Sequence, residues 1–243
     1  MNPQFEELDY RQTRLGELIL QRRRVLALDG AEAYEVKLNG EYLMSSLFHV
    51  AEEELARLGL GALPGNRWEV VVGGLGLGYT AAAALAFPQV AHLVVVEALE
   101  PVIDWHRRAL VPNGRALTGD PRCAYLHADF FALARGAGFD PARPGRGWDA
   151  VLLDIDHAPA QWLNGAHGDF YTEAGLRRLK TFLKPGGVFA LWSNDDPDEA
   201  FLGLLRTVFG NAEGHVAAFD NPLTQGRSAN GIYLARRTEG SPS

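Results

Sequence analysis

From Trp68 onward the chain alternates short apolar runs with segments of helical composition, and this alternation restricts the fold more than any other feature. The apolar runs are EVVVGG, AHLVVVE, CAYLHAD, WDAVLLD and GVFALWS. Strands as continuously apolar as these are typical of parallel sheets that helices cover on both faces. The pattern therefore predicts an α/β, Rossmann-like fold of parallel strands joined by crossover helices.

Residues 18–49 have a different pattern, with three strand-like stretches separated by two turn dipeptides, Asp29-Gly30 and Asn39-Gly40. Both dipeptides tolerate the positive φ angles of tight hairpin turns. The stretch HVAEEELARLGLG that follows has an apolar and a solvated face, which predicts a helix leading into the main domain.

These patterns divide the chain into an N-terminal β-hairpin segment, residues 1–49, and a Rossmann-like domain, residues 50–243. Isolated hairpins are only marginally stable in water. We therefore expect the N-terminal segment to lie over the crevice mouth of the domain or to form a subunit contact.

A glycine-rich loop, VVVGGLGLGYT, follows the first apolar run and contains Gly74, Gly76 and Gly78. Glycines between a strand and a helix let the backbone turn sharply and approach a ligand, with the helix N–H groups facing it. Glu97 ends the next strand, 19 residues after Gly78, where a carboxylate can accept both hydroxyls of a ribose. Alternatively, the glycines serve packing alone and Glu97 is a solvated carboxylate. The occurrence of the glycine loop together with Glu97 favours a nucleoside site.

Asp129 closes the third strand and precedes a helical run in HADFF. Its carboxylate can accept a hydrogen bond from the exocyclic amine of an adenine, with Phe130 or Phe131 packing nearby. It can also cap the helix that follows, and one residue can do both. We favour the ligand role.

The fourth strand ends in three polar residues, Asp154, Asp156 and His157. They follow the carboxyl end of a strand, where open α/β sheets form their ligand crevice. Asp154 can hold a cationic group or accept a proton from an attacking amine, and Asp156 and His157 are further catalytic candidates. After the fifth strand, residues 193–196 offer oxygen ligands for a metal, but we favour their capping the next helix.

Taken together, these motifs resemble the spermidine synthase-like family of aminopropyltransferases over about residues 22–235. The run FYTEAGLRRLKTFLKPGGVFALW strengthens the resemblance. It implies a class I methyltransferase-like fold with a mostly parallel seven-stranded sheet and helices on both faces. It also implies that decarboxylated S-adenosylmethionine donates an aminopropyl group to an amine, and that methylthioadenosine leaves. The positions that match the family's nucleoside and catalytic residues are Gly74, Gly76, Glu97, Asp129 and Asp154.

Three positions depart from the family pattern. Gly76 stands where the family carries an aspartate in the glycine loop, and His157 stands where it carries a second aspartate, with Asp156 adjacent. Ala51 stands at the position of the family's acceptor-binding tyrosine and is followed by two acids, Glu52 and Glu53.

These departures leave three functions open. The leading one is an aminopropyltransferase, and the second is an S-adenosylmethionine-dependent methyltransferase, which the missing acid at Gly76 favours because bare N–H groups suit a ligand carboxylate. A metal-assisted form of the second would use Asp154, Asn194 and Asp195, although we expect no metal. The third is an adenosyl-binding protein without catalysis.

The net charge of −7 argues against nucleic acid or an anionic membrane as a partner. Cys123 is the single cysteine, so neither an internal disulfide nor a cysteine zinc site can form. The N-terminus lacks a secretory pattern. We expect a cytoplasmic enzyme, a small-molecule amine acceptor and a homodimer.

Overall fold

The computed structural model describes residues 4–155, 157–221, 223–224 and 226–238. Its N-terminal part is a four-stranded antiparallel sheet in chain order, made of β1 (Phe5–Thr13), β2 (Gly16–Val25), β3 (Ala31–Leu38) and β4 (Glu41–Ser45). The two predicted dipeptide turns are present, and all four of their residues have positive φ angles. Strand β1 lies upstream of the predicted hairpin region and adds an unpredicted edge.

The second sheet has seven strands in the order β10-β11-β9-β8-β5-β6-β7, which confirms the predicted Rossmann-like class. Strands β5 to β9 are parallel, and β11 pairs antiparallel with both β9 and β10. The strands are β5 (Trp68–Gly73), β6 (Val90–Glu97), β7 (Cys123–His127), β8 (Trp148–Leu153), β9 (Leu183–Ser193), β10 (Gly210–Asn221) and β11 (Gly226–Arg237).

Seven α-helices accompany this sheet in the described part of the chain. They are α1 (Val50–Gly61), α2 (Tyr79–Leu85), α3 (Glu100–Arg107), α4 (Gly114–Gly119), α5 (Phe130–Arg135), α6 (Glu173–Lys180) and α7 (Glu199–Phe209). Successive residues of a strand point to opposite faces, so Val70 and Val72 pack with α1 to α4, whereas Val71 packs with α5 to α7. Helices therefore cover both faces.

The N-terminal sheet is packed against the domain, as its hairpin pattern predicts. Leu18, Leu20 and Val36 are fully buried in the same apolar cluster as Val70 of β5. At the sheet edge, the indole Nε1 of Trp105 on α3 donates a 2.7 Å hydrogen bond to Asp9 Oδ2 on β1. The two sheets therefore share one core, and the N-terminal sheet lies beside the carboxyl ends of the parallel strands.

No helix in the described ranges is both long and apolar enough to cross a bilayer.

Candidate functional site

The glycine loop connects β5 to α2 at the carboxyl edge of the sheet. Gly74, Gly76 and Gly78 have φ angles of +94°, +50° and +88°, which glycine adopts at little cost. A Cβ on Gly74 would lie 2.1 Å from the carbonyl oxygen of Asp154. The loop thus turns against the end of β8, and at Gly74 only glycine fits.

Neighbouring side chains fix the shape of this loop. The imidazole Nε2 of His106 lies 3.0 Å from the carbonyl oxygen of Gly76, and Asn113 Nδ2 donates a 3.1 Å hydrogen bond to the Leu77 carbonyl. Because a carbonyl only accepts, His106 donates from Nε2. Burial lowers the pKa of His106 to about 4, so the ring is neutral at physiological pH. Met44 Sδ, on β4, lies 3.0 Å from where a Cβ on Gly76 would stand.

Glu97 stands at the end of β6, and its two carboxylate oxygens accept hydrogen bonds from the glycine loop and from the segment that follows β6. Oε2 accepts a 3.0 Å hydrogen bond from the Leu75 amide, and Oε1 accepts a 2.8 Å bond from the Leu99 amide. Burial raises the pKa of Glu97 above its usual value, and the backbone N–H groups oppose this rise. A carboxylate oxygen accepts more than one hydrogen bond, so each retains capacity for a ribose hydroxyl.

An open pocket of about 510 Å³ adjoins Glu97, and we call it the adenosyl pocket. It lies beyond the ends of β6 and β7, and its lining residues are Thr13, Arg14, Ala98, Leu99, Glu100, Pro101, His127, Ala128 and Asp129. Its size falls in the range that small-molecule sites occupy, roughly 300–1,000 Å³.

Asp129 has the capping role and also faces this pocket. Its Oδ1 accepts a 3.0 Å hydrogen bond from the Ala132 amide at the start of α5. Oδ2 is not used by the cap. Phe130, expected beside the ligand, is instead only 2% exposed and stacks on Phe139 with ring centroids 4.9 Å apart. Its ring therefore fills the core behind Gly73.

Asp154 follows β8 directly and lies behind the glycine loop. Its backbone amide donates a 2.8 Å hydrogen bond to Gly73, and its Oδ2 accepts a 2.8 Å hydrogen bond from the Thr80 hydroxyl on α2. Burial raises the pKa of Asp154 to about 6, and the Thr80 hydrogen bond opposes the rise. The sequence pattern does not reveal Thr80, although its place in the first turn after the loop is the available signal.

Glu52 on α1 lies close enough to Asp154 for the charges of the two carboxyls to interact. Burial raises the pKa of Glu52 to about 8, and the charge of Asp154 adds to the rise. Two carboxyls coupled in this way titrate as a pair, so their raised pKa values belong to the pair rather than to either residue alone. Acidic groups with strongly raised pKa values are typical of functional sites.

Aromatic groups border this carboxyl pair. The Tyr79 ring, at the first residue of α2, stacks on the His49 ring with centroids 4.0 Å apart and planes 3° apart. His49 Nδ1 lies 2.7 Å from Glu53 Oε1. Burial raises the pKa of Tyr79, and the charges of Glu52 and Glu53 contribute. The surroundings of the pair are thus aromatic and acidic, which suits an alkyl ammonium group.

The remaining candidates are less closely tied to this site. His157 is exposed, and its backbone carbonyl accepts a hydrogen bond from the Asn194 amide. Asp156 lies outside the described residues. The expectation that residues 193–196 cap the next helix is wrong, because Asp198 caps α7 through a 2.8 Å bond from the Phe201 amide to Oδ2. Residues 194–198 lie between the end of β9 and the start of α7, and only the last of them is in position to cap the helix.

Comparisons with known proteins show similarity at two levels. No family model matches the sequence. Putrescine N-methyltransferase 2 of Nicotiana attenuata is 28% identical over 193 residues, which are 76% of this chain and 46% of that protein. Putrescine N-methyltransferase 2 of Nicotiana tabacum is also 28% identical over 193 residues, 76% of this chain and 48% of that protein. The chain thus spans about half the length of these curated relatives.

The solved structures match over nearly the whole chain. A spermidine synthase in complex with the transition state analogue AdoDATO has a TM-score of 0.72 at 19% identity, covering 97% of this chain and 74% of that one. The spermidine synthase from Thermotoga maritima has a TM-score of 0.70 at 19% identity, with the same coverage. A probable spermidine synthase from Corynebacterium glutamicum has a TM-score of 0.61 at 18% identity, covering 98% of this chain and 82% of that one.

This chain is spermidine synthase-like in fold. The resemblance predicted from the glycine loop, the acidic strand ends and the hairpin segment is thereby confirmed. In this spermidine synthase-like chain, the ends of β5, β6 and β8 bring together the glycine loop, Glu97 and Asp154, and β7 leads into Asp129. The sequence identifies those positions correctly as strand ends.

Proposed function

We propose that this protein transfers an aminopropyl group from decarboxylated S-adenosylmethionine to a small amine. The observation that carries the proposal is the pair of Asp154 and Glu52 carboxyls beside the glycine loop. Buried carboxyls favour a bound ammonium group and oppose a second carboxylate. They therefore suit a donor that has lost its carboxylate and an acceptor that carries positive charge.

The nucleoside part of the donor fits the neighbouring half of the site. Glu97 would accept the ribose hydroxyls, the Asp129 carboxylate would accept the adenine amine, and the adenosyl pocket has the volume for the base. The glycine loop would pass the sulfonium, because its glycines let the backbone approach a ligand closely. The donor is a co-substrate, and it supplies an activated carbon next to the sulfonium.

The reaction needs a neutral amine and a positioned carbon. The acceptor nitrogen would attack the methylene carbon next to sulfur, the C–S bond would break, and its electron pair would remain on sulfur in methylthioadenosine. The proton that the new ammonium loses would pass to Asp154, whose raised pKa suits a base near neutral pH. The gain comes mainly from positioning, since the leaving group is already activated.

Methyl transfer from S-adenosylmethionine to an amine is the second candidate. Two observations favour it: the glycine loop lacks an acid at Gly76, and the curated relatives are putrescine N-methyltransferases. A methyl donor retains its carboxylate, which backbone N–H groups can bind. The Asp154 and Glu52 carboxyls oppose this donor, so we rank it second.

Calorimetry with three ligands tests the proposal: S-adenosylmethionine, its decarboxylated form and methylthioadenosine. We expect a modest preference for the decarboxylated donor, and we expect Asp154→Asn to reduce that preference, with Glu41→Gln as an exposed control. If the ratio of the two donor affinities is unchanged in Asp154→Asn, Asp154 does not face the tail of the donor. Tighter binding of S-adenosylmethionine, together with methylated amine as product, would establish the second candidate instead.

We further propose that the protein is cytoplasmic, that it acts as a homodimer on a small-molecule amine, and that it needs no metal. Within the described ranges no three His, Cys, Asp or Glu side chains come together as a metal site would require. The division at residue 49 also stays a prediction, since the two sheets share a core.

A further inference from the structure

The adenosyl pocket has one wall that the Rossmann-like domain does not supply. Thr13 and Arg14, at the turn between β1 and β2, line it opposite the segments that follow β6 and β7. The apolar part of the opposite wall consists of Leu99, Pro101 and Ala128. A flat ligand group in this pocket would therefore lie between an apolar wall and the turn of the N-terminal sheet.

This turn has a closely determined conformation. Thr13 Oγ1 donates a 2.9 Å hydrogen bond to the Gly16 carbonyl and accepts one of 3.1 Å from the Leu15 amide. Asn39 Nδ2 donates to the Leu15 carbonyl at 2.9 Å, and Asn39 Oδ1 accepts from the Glu17 amide at 3.0 Å. A Cβ on Gly16, whose φ is +119°, would lie 1.7 Å from Asn39 Oδ1. The backbone at Arg14 is thus held in place before any ligand binds.

A second set of contacts fixes the strand that leads into the turn. Asp9 Oδ2 accepts hydrogen bonds from Trp105 Nε1 at 2.7 Å and from Arg11 Nε at 2.9 Å. Arg11 also lies 3.5 Å from Asp104 Oδ2 on α3. Because α3 begins at Glu100, inside the pocket wall, the same helix anchors the strand and forms the pocket.

We propose that Arg14 packs its guanidinium group against the adenine of the adenosyl ligand and so completes the pocket. The inference rests on the proposed function, since it takes the nucleoside to bind there. A guanidinium group is planar and stacks flat on aromatic faces, whereas a lysine ammonium meets such a face only as a compact charge. In the described part of the chain no hydrogen bond or ion pair engages the Arg14 side chain, so it is available to a ligand.

Titration with methylthioadenosine tests this role, because this ligand carries the adenine without the donor's charged tail. We expect Arg14→Ala to weaken binding about five- to tenfold, as for loss of a guanidinium group stacked on the adenine. Arg14→Lys should recover little, since it keeps the charge without the planar group. Arg67→Ala is the control, because Arg67 is exposed and precedes β5 at the opposite edge of the sheet.

Two further measurements separate this inference from the proposed function. Thermal unfolding of Arg14→Ala should match that of the natural protein, because the side chain is exposed. Asp129→Ser, which keeps the helix cap, should also weaken methylthioadenosine binding. If Asp129→Ser weakens binding and Arg14→Ala does not, or if Arg14→Lys binds like the natural protein, adenine stacking by Arg14 is wrong. If the natural protein binds no adenosyl ligand, the proposed function itself fails.

Discussion

Replacing Glu52 with glutamine should make the protein more stable at alkaline pH than the natural chain. The folded state raises the pKa of Glu52 from 4.5 to about 8 because it buries the carboxyl next to Asp154. A raised pKa in the folded state means that ionisation is easier in the unfolded chain. The stability that the protonated carboxyl contributes is therefore complete below about pH 4.5 and is lost as pH rises through 8.

The size of the effect follows from this pKa difference. A rise from 4.5 to about 8 corresponds to a ceiling of roughly 5 kcal/mol at high pH. Glu52 reaches solvent in part and can turn away from Asp154 when both are charged, so we expect a smaller effect. Between pH 5 and pH 8.5, the stability of Glu52→Gln relative to the natural protein should increase by about 1–2 kcal/mol.

Urea unfolding followed by circular dichroism, at pH 5 and at pH 8.5, measures this difference. Comparing the two proteins at each pH removes the contribution of titrating groups that do not interact with Glu52. Glu41→Gln is the control, because Glu41 is exposed on β4. A difference that does not change with pH, or that Glu41→Gln reproduces, would refute the raised pKa of Glu52.

Three further predictions concern the loop, the ribose and the anchor of the N-terminal sheet. Glu97→Ala should weaken methylthioadenosine binding by about 1.5–3 kcal/mol in calorimetry, and unchanged affinity would remove Glu97 from the ribose. Gly74→Ala should lower stability in urea unfolding by about 2–4 kcal/mol, because its Cβ would meet the Asp154 carbonyl at 2.1 Å; a loss below that of Gly61→Ala would contradict this. Trp105→Phe should cost about 1–3 kcal/mol and speed amide exchange in β1, and exchange confined to other strands would argue against the Asp9 anchor.

The parallel sheet could be predicted because its strands are apolar on both faces, so each appears as a continuous run between glycine and polar boundaries. Strand β1, FEELDYRQT, could not, because it lies at the sheet edge and most of its side chains are charged or polar. For the same reason the sequence does not reveal that its turn lines the adenosyl pocket.

The residues of the candidate site also differ in whether the sequence could predict their place. Those at strand ends, such as Glu97 and Asp154, could be identified because parallel strands all end at one edge. Glu52 could only be noted as a nearby acid, since its meeting with Asp154 depends on how α1 packs across the sheet. The two adjacent phenylalanines after Asp129 illustrate the same limit, because the buried position of Phe130 is set by α5 packing on β5 and β8.

Because Met44 lies against Gly76, the side chain that position 76 can carry depends on the residue at position 44. An aspartate tolerates the backbone conformation at position 76 better than most residues, because its short side chain can hydrogen-bond locally. Its Cβ would nevertheless lie 3.0 Å from Met44 Sδ, and its carboxylate would need still more room. An acid at position 76 therefore requires Met44 to move or to be replaced by a smaller residue, and Gly76→Asp should be tolerated better together with Met44→Ala than alone.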